Sequence, residues 1–194
     1  MQTPGSQRLF LAIEFPSPLI AALDSAVEPL RALAPELAWV PLDKQHLTMK
    51  FLGDVRDAEV PRVIAMAESV ARMHRPFEIQ LNGIGAFPNF KRARVVWLGV
   101  EQEARLELLH HDLEVAGEAE GFEIEGRPFR PHLTVARVRV PLDRERTRLF
   151  ARAARRVNFS ASAVVSEIAV FESTLASRGA RYRRIYAATL GGGR

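Results

Sequence analysis

The tetrapeptide form His-Leu-Thr-apolar occurs twice in this chain, as His46-Leu47-Thr48-Met49 and as His132-Leu133-Thr134-Val135. Side chains on a strand alternate between its faces. In each copy an imidazole and a hydroxyl therefore project to one side, while the apolar pair enters a core. The ordinary histidine pKa of about 6.5 keeps acid and base forms accessible near neutrality. Two such rings facing each other across a cleft could deprotonate a water on one side of a phosphorus and protonate the departing oxygen on the other. The two threonine hydroxyls would support the charge on the non-bridging oxygens. A strained cyclic phosphate would need no more than this, so neither a metal nor a cofactor is expected. A lone strand histidine is more often structural, and the doubling is what argues for catalysis. Symmetry leaves the acid and base roles interchangeable. His74, His110 and His111 read as solvated residues on or at the ends of helices, and no His-x-x-x-His pair suggests a metal site.

The elements that must hold these motifs follow from the hydrophobic periodicity. Residues 8–15 form a short apolar strand closed by Pro16, and Ser17 is placed to cap a helix with Pro18 in its first turn. Pro29 should kink or end that helix early. Strands are expected over 39–41, 45–53 and 77–87, with a helix over 57–73. The order then repeats: strand 94–101, helix 102–119, strand 132–140, helix 142–156, strand 163–171 and a closing strand 182–190, before a disordered Gly-Gly-Gly-Arg tail.

His46 and His132 lie 86 residues apart (132 − 46), and so do Arg8 and Arg94 and the helix-opening Asp57 and Asp143. The fold class expected is α+β: a bilobal pseudo-two-fold repeat of two antiparallel-rich sheets, with helices outside and a central cleft. The chain is read as one domain over 1–194, with pseudo-repeat halves of about 8–87 and 94–172 and a final strand over 181–190.

The 194 residues contain no cysteine, which excludes disulfides and thiolate metal sites. No apolar run approaches the roughly 20 residues of a membrane helix, and the start lacks the pattern of a secretory signal. A cytoplasmic monomer without membrane contact is expected. The net charge of +4 is carried largely by arginine, the lysines being Lys44, Lys50 and Lys91. Arginine suits phosphate recognition, although a GC-rich genome would favour it as well. Asn89 to Arg94 form a basic loop in which Phe90 could stack on a base, or a plain solvated hairpin connection. Arg144, Arg148, Arg152 and Arg155 recur at helical spacing as a basic stripe, of the kind that is usually a solvated face. Arg178, Arg181, Arg183 and Arg184 surround the last turn, where they could line a cleft mouth.

The sequence resembles the two-histidine phosphoesterase superfamily and, within it, the RNA 2′,3′-cyclic phosphodiesterase family (the ThpR/LigT group, named for 2′-5′ RNA ligase activity). The resemblance runs from Arg8 to Tyr186. It rests on R-L-F-L-A-I from Arg8, H-L-T-M-K-F-L-G from His46, G-I-G-A-F from Gly83, R-P-H-L-T-V-A-R from Arg130 and the late Ser173, Gly179, Tyr182 pattern. It implies that His46 is the proton donor to the leaving 3′ oxygen and His132 the acceptor that activates water, leaving a 2′-phosphate. Thr48 and Thr134 match the family's phosphate-binding threonines. Phe51 and Arg137, each five residues after its histidine, match nucleotide contacts. Simple alternation puts both on the face opposite the histidines, so a bulge or strand end would have to re-aim them. Ordinary core packing is an equal account of Phe51. Arg130 would neutralise phosphate or pair with an acidic neighbour. The partners implied are RNA or nucleotides with 2′,3′-cyclic phosphate ends. Two rivals remain: the same site run backwards as an ATP-independent 2′-5′ RNA ligase, and a non-catalytic RNA-end binding module.

Overall fold

The structure is a computed structural model that describes residues 5–176 and 179–191. The expected disordered tail after Gly191 and the arginine at 178 lie outside the described residues. In chain order the elements are β1 (Ser6–Ile13), α1 (Ser17–Leu33), β2 (Ala38–Trp39), β3 (Leu47–Arg56), α2 (Val60–Met73), β4 (Phe77–Phe87), β5 (Val95–Val100), α3 (Ala104–Ala119), β6 (His132–Arg137), α4 (Arg144–Ala154), β7 (Ser160–Val165), β8 (Glu167–Ala176) and β9 (Gly179–Thr189).

The strands run in the order β7-β4-β5-β6-β3-β1-β8-β9, with β2 added beside β6. Neighbouring strands are antiparallel. β3 and β6, which carry the two histidine motifs, meet at the pair Leu47–Leu133. A two-fold axis through this junction exchanges β3 with β6, β1 with β5, β8 with β4, and β9 with β7. The curled sheet therefore divides into two four-stranded lobes, as the α+β bilobal reading expected, but the Leu47–Leu133 pair joins them into one continuous sheet where two were expected.

The lobes are not the two sequence halves. β4 leaves the first half to pair with β5 and β7, while β8 and β9 return from the second half to flank β1. The switch happens at Ser166, between β7 and β8. Sequence reading expects one strand over 163–171 here, and the structure has two. The apolar run crosses Ser166 without a Gly or Pro to punctuate it.

Two local expectations at α1 are also corrected. Pro16 rather than Ser17 is the N-cap residue, without a side-chain cap, and the helix continues past Pro29 to Leu33. Ile20, Leu23, Val27 and Leu30 are buried on one face, and that packing holds the last turn despite the missing amide. α1 packs against α4, and α2 against α3, β8 and β9. The helices cover the outer surface and leave the groove between β3 and β6 open. No described helix is long and apolar enough to cross a membrane.

Candidate active site

His46 precedes β3 and His132 begins β6, so the central pair of strands brings the two motifs together. His46, Thr48, His132 and Thr134 line one cavity of about 450 Å³, with Arg137, Trp39 and Tyr182 also on its wall. A second cavity of about 430 Å³ shares Thr48 and His132 with the first and is bounded by Phe51, Phe87, Phe129 and Arg130. The groove thus extends to both sides of the histidines.

Phe51 and Arg137 reach these cavities because both motif strands carry a bulge. On β3, Thr48 faces Ala12 and Lys50 faces Leu11, so Met49 is the extra residue. On β6, Thr134 faces Trp97 and Ala136 faces Val96, so Val135 is extra. Met49 and Val135 are again 86 residues apart (135 − 49). Each bulge turns two successive residues inward, burying Met49 with Lys50 and Val135 with Ala136. Phase then returns, and Phe51 and Arg137 face the same way as Thr48 and Thr134. Phe51 is 49% exposed and lies under the Arg8 guanidinium, 4.9 Å from its ring centroid.

Each imidazole is fixed by the backbone two residues upstream. His132 Nδ1 donates to the carbonyl of Arg130 at 2.7 Å, and the His46 ring bonds the backbone of Lys44. With Nδ1–H engaged, the neutral His132 ring presents an unprotonated Nε2 to chemistry. The surroundings differ. His46 sits among Phe10, Phe171 and Tyr182, with centroids 4.9, 6.0 and 5.2 Å away. His132 meets the edge of Phe87 at 4.9 Å. Burial pushes the His46 imidazolium down to about 4, with Arg137 and His132 adding repulsion. Burial also lowers His132, by less, and Arg137 adds to it.

Arg130, on the wall of the second cavity, is exposed and forms no ion pair among the described residues. Arg183 and Arg184 are not brought to the cleft: they pair with Glu172 and with Glu14 and Glu167. Phe90 is not free to stack on a base, because it packs against Phe150 of α4. Two further histidines are not solvated as expected. His74 is buried with Nε2 2.8 Å from Asp112 Oδ2, and His110 stacks on Phe129 at 3.9 Å. Tertiary contacts from α3 and the following loop enclose both, which helix periodicity alone does not reveal.

Sequence reasoning missed a buried ion pair beneath the site. Lys50 Nζ bonds Glu114 Oε2 and the carbonyl of Glu123, both at 2.9 Å. The same carboxylate accepts from the amide of Glu125 at 3.0 Å. The bulge turns Lys50 inward, and the pair ties β3 and α3 to the segment that leads to His132. A Cβ on Gly117 would lie 2.2 Å from Lys50 Cε, so the glycine inside α3 makes room for this stem. That helical glycine was the available signal.

Comparison with known proteins identifies the family and the fold. A family model described as the 2′-5′ RNA ligase superfamily matches residues 15–175. A protein of Methanothermobacter thermautotrophicus named RNA 2′,3′-cyclic phosphodiesterase is 33% identical over 175 residues, covering 90% of this chain and 94% of its own. Among solved structures, a Thermus thermophilus protein superposes with a TM-score of 0.76 at 30% identity, covering 96% of this chain and all of its own. E. coli LigT complexed with 3′-AMP gives 0.71 at 27% identity, over 95% and 98% of the two chains.

Proposed function

Since the chain belongs to the 2′-5′ RNA ligase superfamily, we propose that it is an RNA 2′,3′-cyclic phosphodiesterase, the activity for which its relatives are named. One observation carries the reading: both His-Leu-Thr motifs line a single open cavity from opposite lobes.

In the reaction, His132 Nε2 takes a proton from water as the water oxygen attacks phosphorus. The bond from phosphorus to the 3′ oxygen breaks, and protonated His46 gives its proton to that oxygen. The product is a 2′-phosphate beside a free 3′-hydroxyl; His132 then releases its proton to solvent and His46 takes one up, which restores the starting state. Thr48 and Thr134 donate to the non-bridging oxygens. Arg137 supplies the compensating charge, and Phe51 offers an aromatic face to the base. Arg130 holds His132 through its carbonyl and places a cation at the rim. The division of roles agrees with the environments, because the more desolvated His46 makes the stronger acid once protonated and His132 the better base. Both motifs come from one chain, so the reading takes the enzyme as a monomer, and the cytoplasm is the compartment proposed.

Hydrolysis of a 2′,3′-cyclic mononucleotide should persist in EDTA, and phosphorus NMR should identify a 2′-phosphate. His46→Ala and His132→Ala should each lower turnover by about 10²–10⁴-fold while the far-ultraviolet spectrum is unchanged. Full activity in either folded variant would refute the assignment.

The second cavity favours one further reading. It flanks His132 and Thr48 on the other side from the first, where a 5′-hydroxyl end could take the place of water, and the reverse reaction would then join RNA through a 2′-5′ bond. Excess 5′-hydroxyl oligonucleotide tests this by the appearance of a longer product.

A further inference from the structure

Some arginines elsewhere on the molecule close ion pairs with carboxylates, as Arg31 does with Asp24, Arg62 with Glu120 and Arg184 with Glu167, and single ones such as Arg75 and Arg130 do not among the described residues. On the outer side of the second lobe, arginines without such a pair cluster on one helix. Arg139, Arg144, Arg148, Arg152 and Arg155 are all exposed, and none forms an ion pair among the described residues. The last four follow one face of α4 and its C-terminal turn, opposite the buried Phe150 and Ala154.

The carboxylates nearby are mostly engaged. Asp143 caps α4 through the amide of Arg146, and Glu36 is taken by the Arg146 guanidinium. Glu145 is the exposed exception. The basic loop over 88–94 adds to the surface: Phe90 packs on Phe150, and the Arg94 carbonyl accepts from the amide of Val138.

This surface is continuous with the cleft. Arg137 and Arg139 line the cavity that holds both motif histidines, and Glu36, the partner of Arg146, lies on the same wall. Five residues after Arg139, the chain enters α4. We propose that the exposed arginine face of α4 is a track for the single-stranded RNA that lies 5′ of the reacting terminal nucleotide. The proposal rests on the phosphodiesterase reading for its substrate end. A cyclic phosphate seated between the histidines has the rest of its strand on one side only, and the mouth at Arg139 opens onto this face. Guanidinium groups with no internal carboxylate keep their charge available to phosphates, and each phosphate they neutralise releases condensed counterions. The eleven residues of α4 extend about 16 Å, the length of roughly five stacked nucleotides.

The test compares the wild-type chain with the triple variant Arg148→Gln, Arg152→Gln, Arg155→Gln on two substrates: a 2′,3′-cyclic mononucleotide and a hexanucleotide with the same cyclic end. Wild-type kcat/KM should be higher on the hexanucleotide. The variant should match the wild type on the mononucleotide and lose about tenfold on the hexanucleotide at low salt. Fluorescence anisotropy with a labelled hexanucleotide should show the slope of log Kd against log salt reduced by about 2, from three lost phosphate contacts. Three results would overturn the track: no length preference in the wild type, unchanged hexanucleotide kinetics and salt slope in the variant, or equally tight binding of a polyglutamate peptide. Should neither substrate turn over in the wild type, the assigned reaction fails, and the salt slope alone then decides the fate of the track.

Discussion

His46 and His132 occupy equivalent positions in the repeat but titrate in different settings. Burial among aromatic rings holds His46 near 4 and lowers His132 below the usual imidazole range. At pH 7 both rings of the free enzyme are therefore neutral, so under the proposed roles the base is ready and the acid lacks its proton. The one-proton state needed for catalysis increases as pH falls through the His132 pKa and is lost below that of His46. kcat/KM should rise from pH 8 to a maximum between about 4 and 6.5, then fall. An anionic phosphate bound between the rings favours their charged forms, so the kcat profile should lie at higher pH. A kcat/KM maximum above pH 7.5 would contradict this picture. The histidines and threonines were legible in the sequence because a chemically demanding tetrapeptide recurs at a fixed offset. The rings around His46 were not, since Phe10 on β1 and Phe171 and Tyr182 on β8 and β9 are all remote from His46 in sequence and gather there only through strand pairing.

At the level of elements, the matching bulges at Met49 and Val135 decide which side chains enter the groove. Their need was readable from Phe51 and Arg137 falling out of phase with their histidines; their positions were not, because a bulge is fixed by cross-strand register. The inward turn at β3 also creates the demand for Glu114. Lys50 and Glu114 are both buried, and removing one partner strands the other's charge. Lys50→Met should destabilise the fold by about 3–5 kcal/mol in urea or thermal unfolding. Adding Glu114→Leu to it should restore much of the loss, although the Glu125 amide would still lack its acceptor. A single variant as stable as the wild type would show that the pair carries no such strain. Strand and helix boundaries were mostly legible from periodicity. The β7–β8 break was not, because Ser166 is an ordinary residue whose role comes from the two lobes it connects.

Across the whole molecule, the exchange of strands means that neither sequence half is a folding unit. A fragment ending at residue 91 would leave β1 without β8, and β4 without β5 and β7. Exposed edges of that kind invite association between chains. Residues 1–91 expressed alone should be aggregated or lack a cooperative melt, whereas co-expression with residues 92–194 should yield a soluble, active complex. A cooperative melt from the first fragment alone would show that its strands pair differently in isolation. The internal repeat made the bilobal plan readable, but sequence similarity between halves cannot reveal which strands cross over.

The frame around the junction of Leu47 and Leu133 looks nearly alike after half a turn, and by itself would accept a cyclic ester in either of two opposed orientations. In one, the bond to the 3′ oxygen breaks; in the other, the bond to the 2′ oxygen. Among the described residues, three rings enclose one imidazole and a single ring flanks the other, with Val95, opposite Arg137 as Phe10 is opposite Phe51, standing where the two-fold would place a counterpart of Phe10. Under the proposed reaction, that imbalance would give the two orientations unequal energies and place the choice of bond in the hydrocarbon walls beside the histidines.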